Sequence, residues 1–236
     1  GTGIGGVIGV FLKNKGSKVM SRVLSFAGGV MVGIVAFEMV PEAVSETIVD
    51  GKQWTGVLIA VSSVVVGILS IYGLNKLLDV LENVRETHRK PAELHHETAI
   101  IAIALHNFPE GMAIGASGLA DKSAGILVAI MIAIHDIPEG MTISAPLAGG
   151  GVGAWKAIGL TALAGFATVI GAGIGLLVGG LGAIATGICM GFAGGAMLYV
   201  TFCEILPQAT LMEEGRVPAV SMLVGIVCTM LFVYLF

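Results

Sequence analysis

Two short motifs in the middle of the chain each combine a histidine with carboxylates. Residues 106–111 read HNFPEG and residues 135–140 read HDIPEG, and in both the histidine precedes the glutamate by four positions. In an α-helix, side chains at i and i+4 project from the same face, so each pair can hold one ion. Imidazole and carboxylate are ligands that Zn²⁺ and related transition metals bind. We therefore predict one metal site made by both motifs, with the candidate ligands His106, Asn107, Glu110, His135, Asp136 and Glu139.

A proline three residues after each histidine adds oxygen ligands to both motifs. Because proline has no N–H, Pro109 and Pro138 free the carbonyl oxygens of Leu105 and Ile134 from their helical hydrogen bonds. The resulting set of imidazole, carboxylate, amide and carbonyl groups contains no thiolate. It favours Zn, Mn, Fe, Co or Cd over Cu(I), and its histidines argue against Ca or Mg.

Composition predicts that these charged residues lie in lipid. The 236-residue chain is 56% hydrophobic and 12% charged, with a mean hydropathy of +0.96, which excludes an ordinary soluble domain. An aspartate at the centre of a membrane helix costs about 2.5 to 3.5 kcal/mol. Lys and Arg occur only in the hydrophilic breaks and near helix ends, so a bound cation or protons must offset the carboxylates. No surface for nucleic acid is visible.

A structural interpretation of the motifs competes with the metal site. Each His-Glu pair could simply satisfy itself within a helix interface, and for a single pair this would be the simpler explanation. Two copies in neighbouring helices favour the metal site, because the unpaired buried charge is then larger.

Eight apolar segments must position the two motifs. A helix needs about 20 apolar residues to cross the hydrocarbon core, and open strands would leave backbone groups unsatisfied in lipid. The predicted fold is an all-α transmembrane bundle, a single domain over 1–236 with a cytoplasmic loop at 79–96. The segments lie near 1–12, 22–43, 54–78, 97–119, 123–147, 154–178, 183–207 and 217–236. The first is shorter than a full span, so we expect it to be part of a longer helix.

Basic residues predict how the bundle is oriented. Ten Lys and Arg residues lie in or beside the connections between segments 1 and 2, 3 and 4, 5 and 6, and 7 and 8. The remaining connections, on the opposite side of the membrane, contain only Lys52 and Lys122. Since cytoplasmic loops carry the excess of basic residues, both termini should be extracytoplasmic.

Two internal repeats predict inverted halves, with helices 1–3 and 6–8 around helices 4 and 5. The motifs at His106 and His135 are 29 residues apart, and GGxM followed by ExxPxA occurs at Gly28 and again at Gly194, an offset of 166. The related segments cross the membrane in opposite directions, which is typical of transporters. Convergent glycine-rich packing is the alternative explanation. The distant repeat also contains Glu38 and Glu204. These two glutamates could mark the entrance and exit of an ion path, or they could be partly hydrated residues near helix ends.

The sequences HNFPEG and HDIPEGMTISAPL resemble the paired signatures of the ZIP (Zrt/Irt-like) metal transporters, most of all the bacterial GufA-like branch. The resemblance covers essentially the whole chain. It implies a homodimeric carrier in the bacterial inner membrane that moves Zn²⁺, or Cd²⁺, Fe²⁺ or Mn²⁺, by an elevator-like movement. A binuclear site would lie between helices 4 and 5.

The resemblance also implies roles for individual residues. The primary ligands would be His106, Glu110, Asp136 and Glu139, with His135 nearby. Asn107 would join the shared carboxylates at a second metal, and Met31 would reach the first. One position departs from the family, because Thr168 replaces a glutamate often found in helix 6, and this leaves the second metal open.

Three functions remain in competition at this point. The first is a carrier that takes transition metals toward the cytoplasm. The second is an intramembrane metalloprotease, although that class uses HExxH and this chain has HxxxE twice. The third is a metal-selective channel.

Three histidines lie in the predicted loop, His88, His95 and His96, and could collect released metal or simply be solvated. The cysteines Cys189, Cys203 and Cys228 are expected to be small core residues.

Overall fold

The computed structural model describes residues 1–12, 17–86 and 91–235, which form eight helices and contain no β-strand. The predicted all-α class is therefore confirmed. The helices are α1 (Thr2–Leu12), α2 (Ser17–Glu46), α3 (Gln53–Glu86), α4 (Pro91–Ala120), α5 (Lys122–Gly149), α6 (Ala154–Gly179), α7 (Ala183–Met212) and α8 (Val217–Leu235).

In the part of the chain whose side chains the structure describes, six helices are long and apolar enough to cross a membrane: α2, α3, α5, α6, α7 and α8. Among them, α2 and α7 are mostly buried, whereas α3, α6 and α8 expose most of their surface. Large apolar side chains such as Leu58, Leu163 and Leu223 cover these outer helices. Such a surface is stable against lipid tails and not against water, so the fold is that of a multi-pass membrane protein.

The helices α2 and α7 have the same interruption at the same place. In each, a five-residue π-helical turn separates a long α-helical part from a short one, and Pro41 or Pro207 follows the turn. Proline cannot donate an N–H, and a π turn is a local adjustment of the hydrogen-bond ladder. The turns are Val35–Met39 and Thr201–Ile205, so they too are 166 residues apart.

The predicted loop at 79–96 is helical over most of its length. The helix α3 continues to Glu86, and α4 already begins at Pro91. The sequence in this region contains leucine, glutamate and arginine and no glycine, so it favours helix after the apolar run has ended. Of the predicted histidine cluster, His88 and the side chains of His95 and His96 lie outside the described part of the chain.

A one-residue connection places the two motifs side by side. Asp121 separates α4 from α5, and its side chain accepts hydrogen bonds from the backbone N–H groups of Ser123 (2.5 Å) and Ala124 (3.2 Å), which caps α5. Glu110 lies 11 residues before Asp121 and His135 lies 14 residues after it. With a rise of about 1.5 Å per residue, the two side chains lie within about one helical turn of the same height.

Glycines bring α4 against α6. Gly111 and Gly115 face the backbone of α6, and Gly171 and Gly175 face the backbone of α4 around Met112. A Cβ atom at any of these glycines would clash with the neighbouring backbone. The absence of side chains thus allows the two helices to approach closely, as in other membrane bundles.

An ion pair joins α2 to the connection between α7 and α8. Arg22 makes two hydrogen bonds to Glu213, with Nη2 2.7 Å from Oε1, and these bonds and the Arg22 charge lower the pKa of Glu213.

The prediction that all three cysteines are core residues is wrong for Cys203 and Cys228, which are exposed, whereas Cys189 is buried. Cysteine is apolar enough to face lipid as well as a core.

Replacing Gly175 with alanine should destabilise the bundle, because the new methyl group must push α4 away from α6. Gly173→Ala is the matched control, since a Cβ there meets nothing within 4 Å. It should be neutral or more stable by up to about 1 kcal/mol, because alanine favours helix over glycine. Thermal unfolding in detergent, followed by size-exclusion chromatography of heated samples, measures both. Equal melting temperatures for the two variants would contradict the packing argument.

Candidate metal site

Three side chains of the two motifs form a compact buried cluster. Nε2 of His135 lies 3.0 Å from Oε1 of Glu110 and 3.5 Å from Oδ1 of Asp136. The three potential ligand atoms lie within 4.8 Å of one another. A tetrahedral zinc ion with bonds of about 2.1 Å holds its ligand atoms about 3.4 Å apart. The observed spacing is therefore close to what one ion requires.

Asn107 and Glu139 complete the cluster from its other side. With the Asn107 amide nitrogen directed at the carboxylates, it donates to Oε2 of Glu110 (3.0 Å) and to Oε2 of Glu139 (3.1 Å). In the opposite orientation, the nitrogen reaches only the Ala164 carbonyl, at 3.3 Å. The amide orientation follows from these partners. One neutral amide thus holds two carboxylates of different helices close together.

The carboxylates of the cluster carry more charge than its neighbours offset. Glu110, Asp136 and Glu139 are all buried. Among the described side chains, no Lys or Arg forms an ion pair with any of them, since the ion pair of Arg22 is with Glu213. Buried charges of one sign are stable only when a proton or a bound cation offsets them. The arrangement is suited to hold a divalent cation.

A cavity of about 400 Å³ connects Asp136 with α1 and α6. Thr2 donates from Oγ1 to Oδ2 of Asp136 at 3.1 Å. Thr168, at the helix 6 position expected near the site, also lines this cavity. Within the described part of the chain, its hydroxyl and Oδ1 of Asp136 have no hydrogen-bond partner. Both atoms are buried, so this side of the cluster holds polar groups that no described residue satisfies.

His106 has a different partner from the rest of its motif. Its Nε2 lies 2.9 Å from Oε2 of Glu204, and Nδ2 of Asn75 donates to Oε1 of Glu204 at 2.6 Å. Glu204 belongs to the π turn of α7, so this group joins α3, α4 and α7. His106 is thus one helical turn from Glu110 but directed at another carboxylate.

Met31 lies on α2, where it contacts α7. It is buried, and its sulfur lies 3.7 Å from Oγ1 of Thr201. Thr201 is the first residue of the π turn that carries Glu204. Met31 therefore borders the same π turn as the His106 partner.

Sequence reasoning missed two polar residues near the site. Asn75 lies in the apolar part of α3, where an unpaired amide is costly. Its presence there indicates that a polar partner lies nearby. Thr2 gave no such signal, because a threonine at the start of an apolar segment fits many environments. Its contact with Asp136 depends on how α1 packs against α5.

Comparison of the sequence with known proteins assigns the chain to a family. A family model described as ZIP Zinc transporter matches residues 98–233, which is more than half of the chain and includes both motifs. A "Zinc transporter ZupT" of Chlorobium chlorochromatii is 32% identical over 249 aligned positions, covering 100% of this chain and 93% of the relative. The protein of the same name from Streptococcus mutans is 35% identical over 225 positions, covering 91% and 84%. The chain therefore belongs to the ZIP zinc transporter family.

Proposed function

We propose that this chain carries Zn²⁺ toward the cytoplasm through the site between α4 and α5, by alternating access. Its family membership makes it a transporter of divalent metal ions and not an enzyme. The observation that supports this location for the site is the buried cluster of Glu110, His135 and Asp136, with ligand atoms within 4.8 Å of one another. We include Cd²⁺, Fe²⁺ and Mn²⁺ as further substrates, because the same nitrogen and oxygen ligands accept them.

Within this proposal, the ligands act in sequence. Glu110, His135 and Asp136 exchange for the water molecules of the incoming ion, and Glu139 adds a carboxylate that Asn107 holds near Glu110. His106 binds the ion as it moves between the cluster and Glu204, which lies 2.9 Å from it. Met31 contributes a thioether from α2. Ligand exchange of this kind needs no bond breaking in the substrate.

We infer that one metal ion, and not two, is held tightly. A second ion beside the first needs additional negative charge, because the two cations repel each other. At the helix 6 position the chain offers the hydroxyl of Thr168 in place of a carboxylate. Asn107, the other candidate ligand for a second ion, is engaged with Glu110 and Glu139.

Inverted repeats are the mechanical part of the proposal. The pieces of α2 and α7 have bounds offset by 166 residues. Exchanging the halves relates α2 to α7, α3 to α8, α1 to α6, and α4 to α5. The main helix contacts agree with this relation. α2 packs against α8 as α7 packs against α3, and α5 packs against α1 as α4 packs against α6. A scaffold with two such arrangements can exchange which side is open.

We place both termini outside the cytoplasm in a bacterial inner membrane, and the transporter as a homodimer. The orientation is supported by the ten basic residues beside alternate connections against two on the other side. The exposed apolar faces of α3, α6 and α8 provide surface for lipid and for a second copy. The intramembrane protease is abandoned, because the family is one of transporters and HxxxE is not the protease motif.

The variant Glu139→Gln should lose saturable zinc influx by at least about tenfold, because it replaces a ligand carboxylate with a neutral amide of the same shape. Influx is measured in proteoliposomes with a trapped zinc-sensitive dye. The control is Glu214→Gln, an exposed glutamate between α7 and α8, which should transport as the wild type does. Undiminished influx in Glu139→Gln would rule out the proposed site, and wild-type influx that does not saturate would indicate a channel.

Zinc influx should fall several-fold between pH 7.5 and pH 5.5 at constant free zinc. Protons compete with the metal, since imidazole must be neutral and the carboxylates ionised to serve as ligands. The measurement keeps the same pH on both sides of the membrane, so that no proton gradient contributes. Influx that is independent of pH over this range would contradict ligation by His135 and the carboxylates.

A further inference from the structure

The two glutamates of the distant repeat have different partners. Glu204 in the π turn of α7 lies 2.9 Å from His106 and accepts a hydrogen bond from Asn75. Glu38 occupies the equivalent place in the π turn of α2 and is half-buried. No hydrogen bond or ion pair joins it to any residue in the described part of the chain. The charges that act on it are those of Glu42 and Asp121, which are both negative.

The two histidines of the adjacent repeat also have different partners. His106 faces the glutamate of the π turn in α7. His135, its equivalent 29 residues later, faces Glu110 within the cluster, at 3.0 Å. By the symmetry of the halves, the counterpart of the pair between His106 and Glu204 is a pair between His135 and Glu38. Only the first of these two equivalent pairs is formed in this structure.

The packing of the helices allows the missing pair. α7 packs against α4, which carries His106, and α2 packs against α5, which carries His135. Glu38 therefore lies on a helix that already contacts the helix of its expected partner. By the symmetry of the halves, an arrangement in which α5 has the relation to α2 that α4 has to α7 here would pair the two side chains.

We propose that Glu38 is a metal-relay carboxylate on the side of the site opposite Glu204, and that it pairs with His135 when the protein faces that side. The proposal rests on the function proposed above. A carboxylate that has no cationic partner, and whose charged neighbours are negative, attracts a divalent cation. On one side, the ion would pass between Glu38, His135 and the cluster. On the other side, it would pass between the cluster, His106 and Glu204.

Zinc influx in Glu38→Gln tests the relay, with Glu46→Gln as the matched control. Both residues are half-buried glutamates of α2, so both substitutions remove the same charge from the same helix, and Glu46 is not among the charges that act on Glu38. The half-saturating zinc concentration should rise about tenfold in Glu38→Gln, as for loss of an auxiliary metal partner, and change less than about twofold in Glu46→Gln. An unchanged value in Glu38→Gln, or equal changes in both variants, would overturn the relay.

Cross-linking by Hg²⁺ tests the pairing without relying on transport. The three native cysteines are replaced by serine, and Glu38→Cys is combined with His135→Cys; the control combines Glu42→Cys with His135→Cys. Mass spectrometry of digested protein should find a mercury-bridged peptide pair only for position 38. Absence of this bridge would overturn the pairing. Wild-type influx, measured in parallel, separates the outcomes: its absence defeats the proposed transport, whereas its presence with a normal Glu38→Gln defeats the relay alone.

Discussion

The cost of three carboxylates buried together in a membrane protein is the constraint on which the rest of this structure depends. Glu110, Asp136 and Glu139 are buried, and in the described part of the chain no Lys or Arg forms an ion pair with them. Hydrogen bonds from Thr2 and Asn107 reduce the cost without removing the charge. A divalent cation offsets two of the three charges, and a proton can offset the third. The same buried charge that makes the cluster costly would thus favour a bound cation.

The helices are arranged so that this cluster can exist. The short connection at Asp121 fixes α4 beside α5 with the motifs at similar heights, and glycines such as Gly111 and Gly175 bring α6 against α4. In α2 and α7, π turns alter the helical register just where Glu38 and Glu204 lie. π turns within α-helices often occur at functional sites, because they redirect side chains without ending the helix. The irregular backbone of α2 and α7 thus contains these two glutamates.

The sequence predicted much of this structure, for physical reasons that can be named. The lengths of apolar runs predicted the spans. The i and i+4 spacing predicted that each histidine would share an ion with the glutamate of its own motif. In the structure Glu110 instead lies close to His135 and Asp136 of the other motif. The extent of α3 to Glu86 was not predicted, because hydropathy reports where lipid ends and not where a helix ends. The contact of His106 with Glu204 was not predicted either, since it depends on the register between α4 and α7, which no local pattern encodes. The ligand roles of His106, Glu139 and Met31 remain predictions.

Anomalous diffraction from crystals of the protein loaded with Zn²⁺ tests the central claim most directly. Data collected on both sides of the zinc absorption edge locate the ion independently of any assumption about its ligands. The account predicts one strong peak between α4 and α5, about 2.0 to 2.2 Å from a nitrogen of His135 and from oxygens of Glu110 and Asp136. A strong peak elsewhere in the bundle, with none at these three side chains, would contradict it.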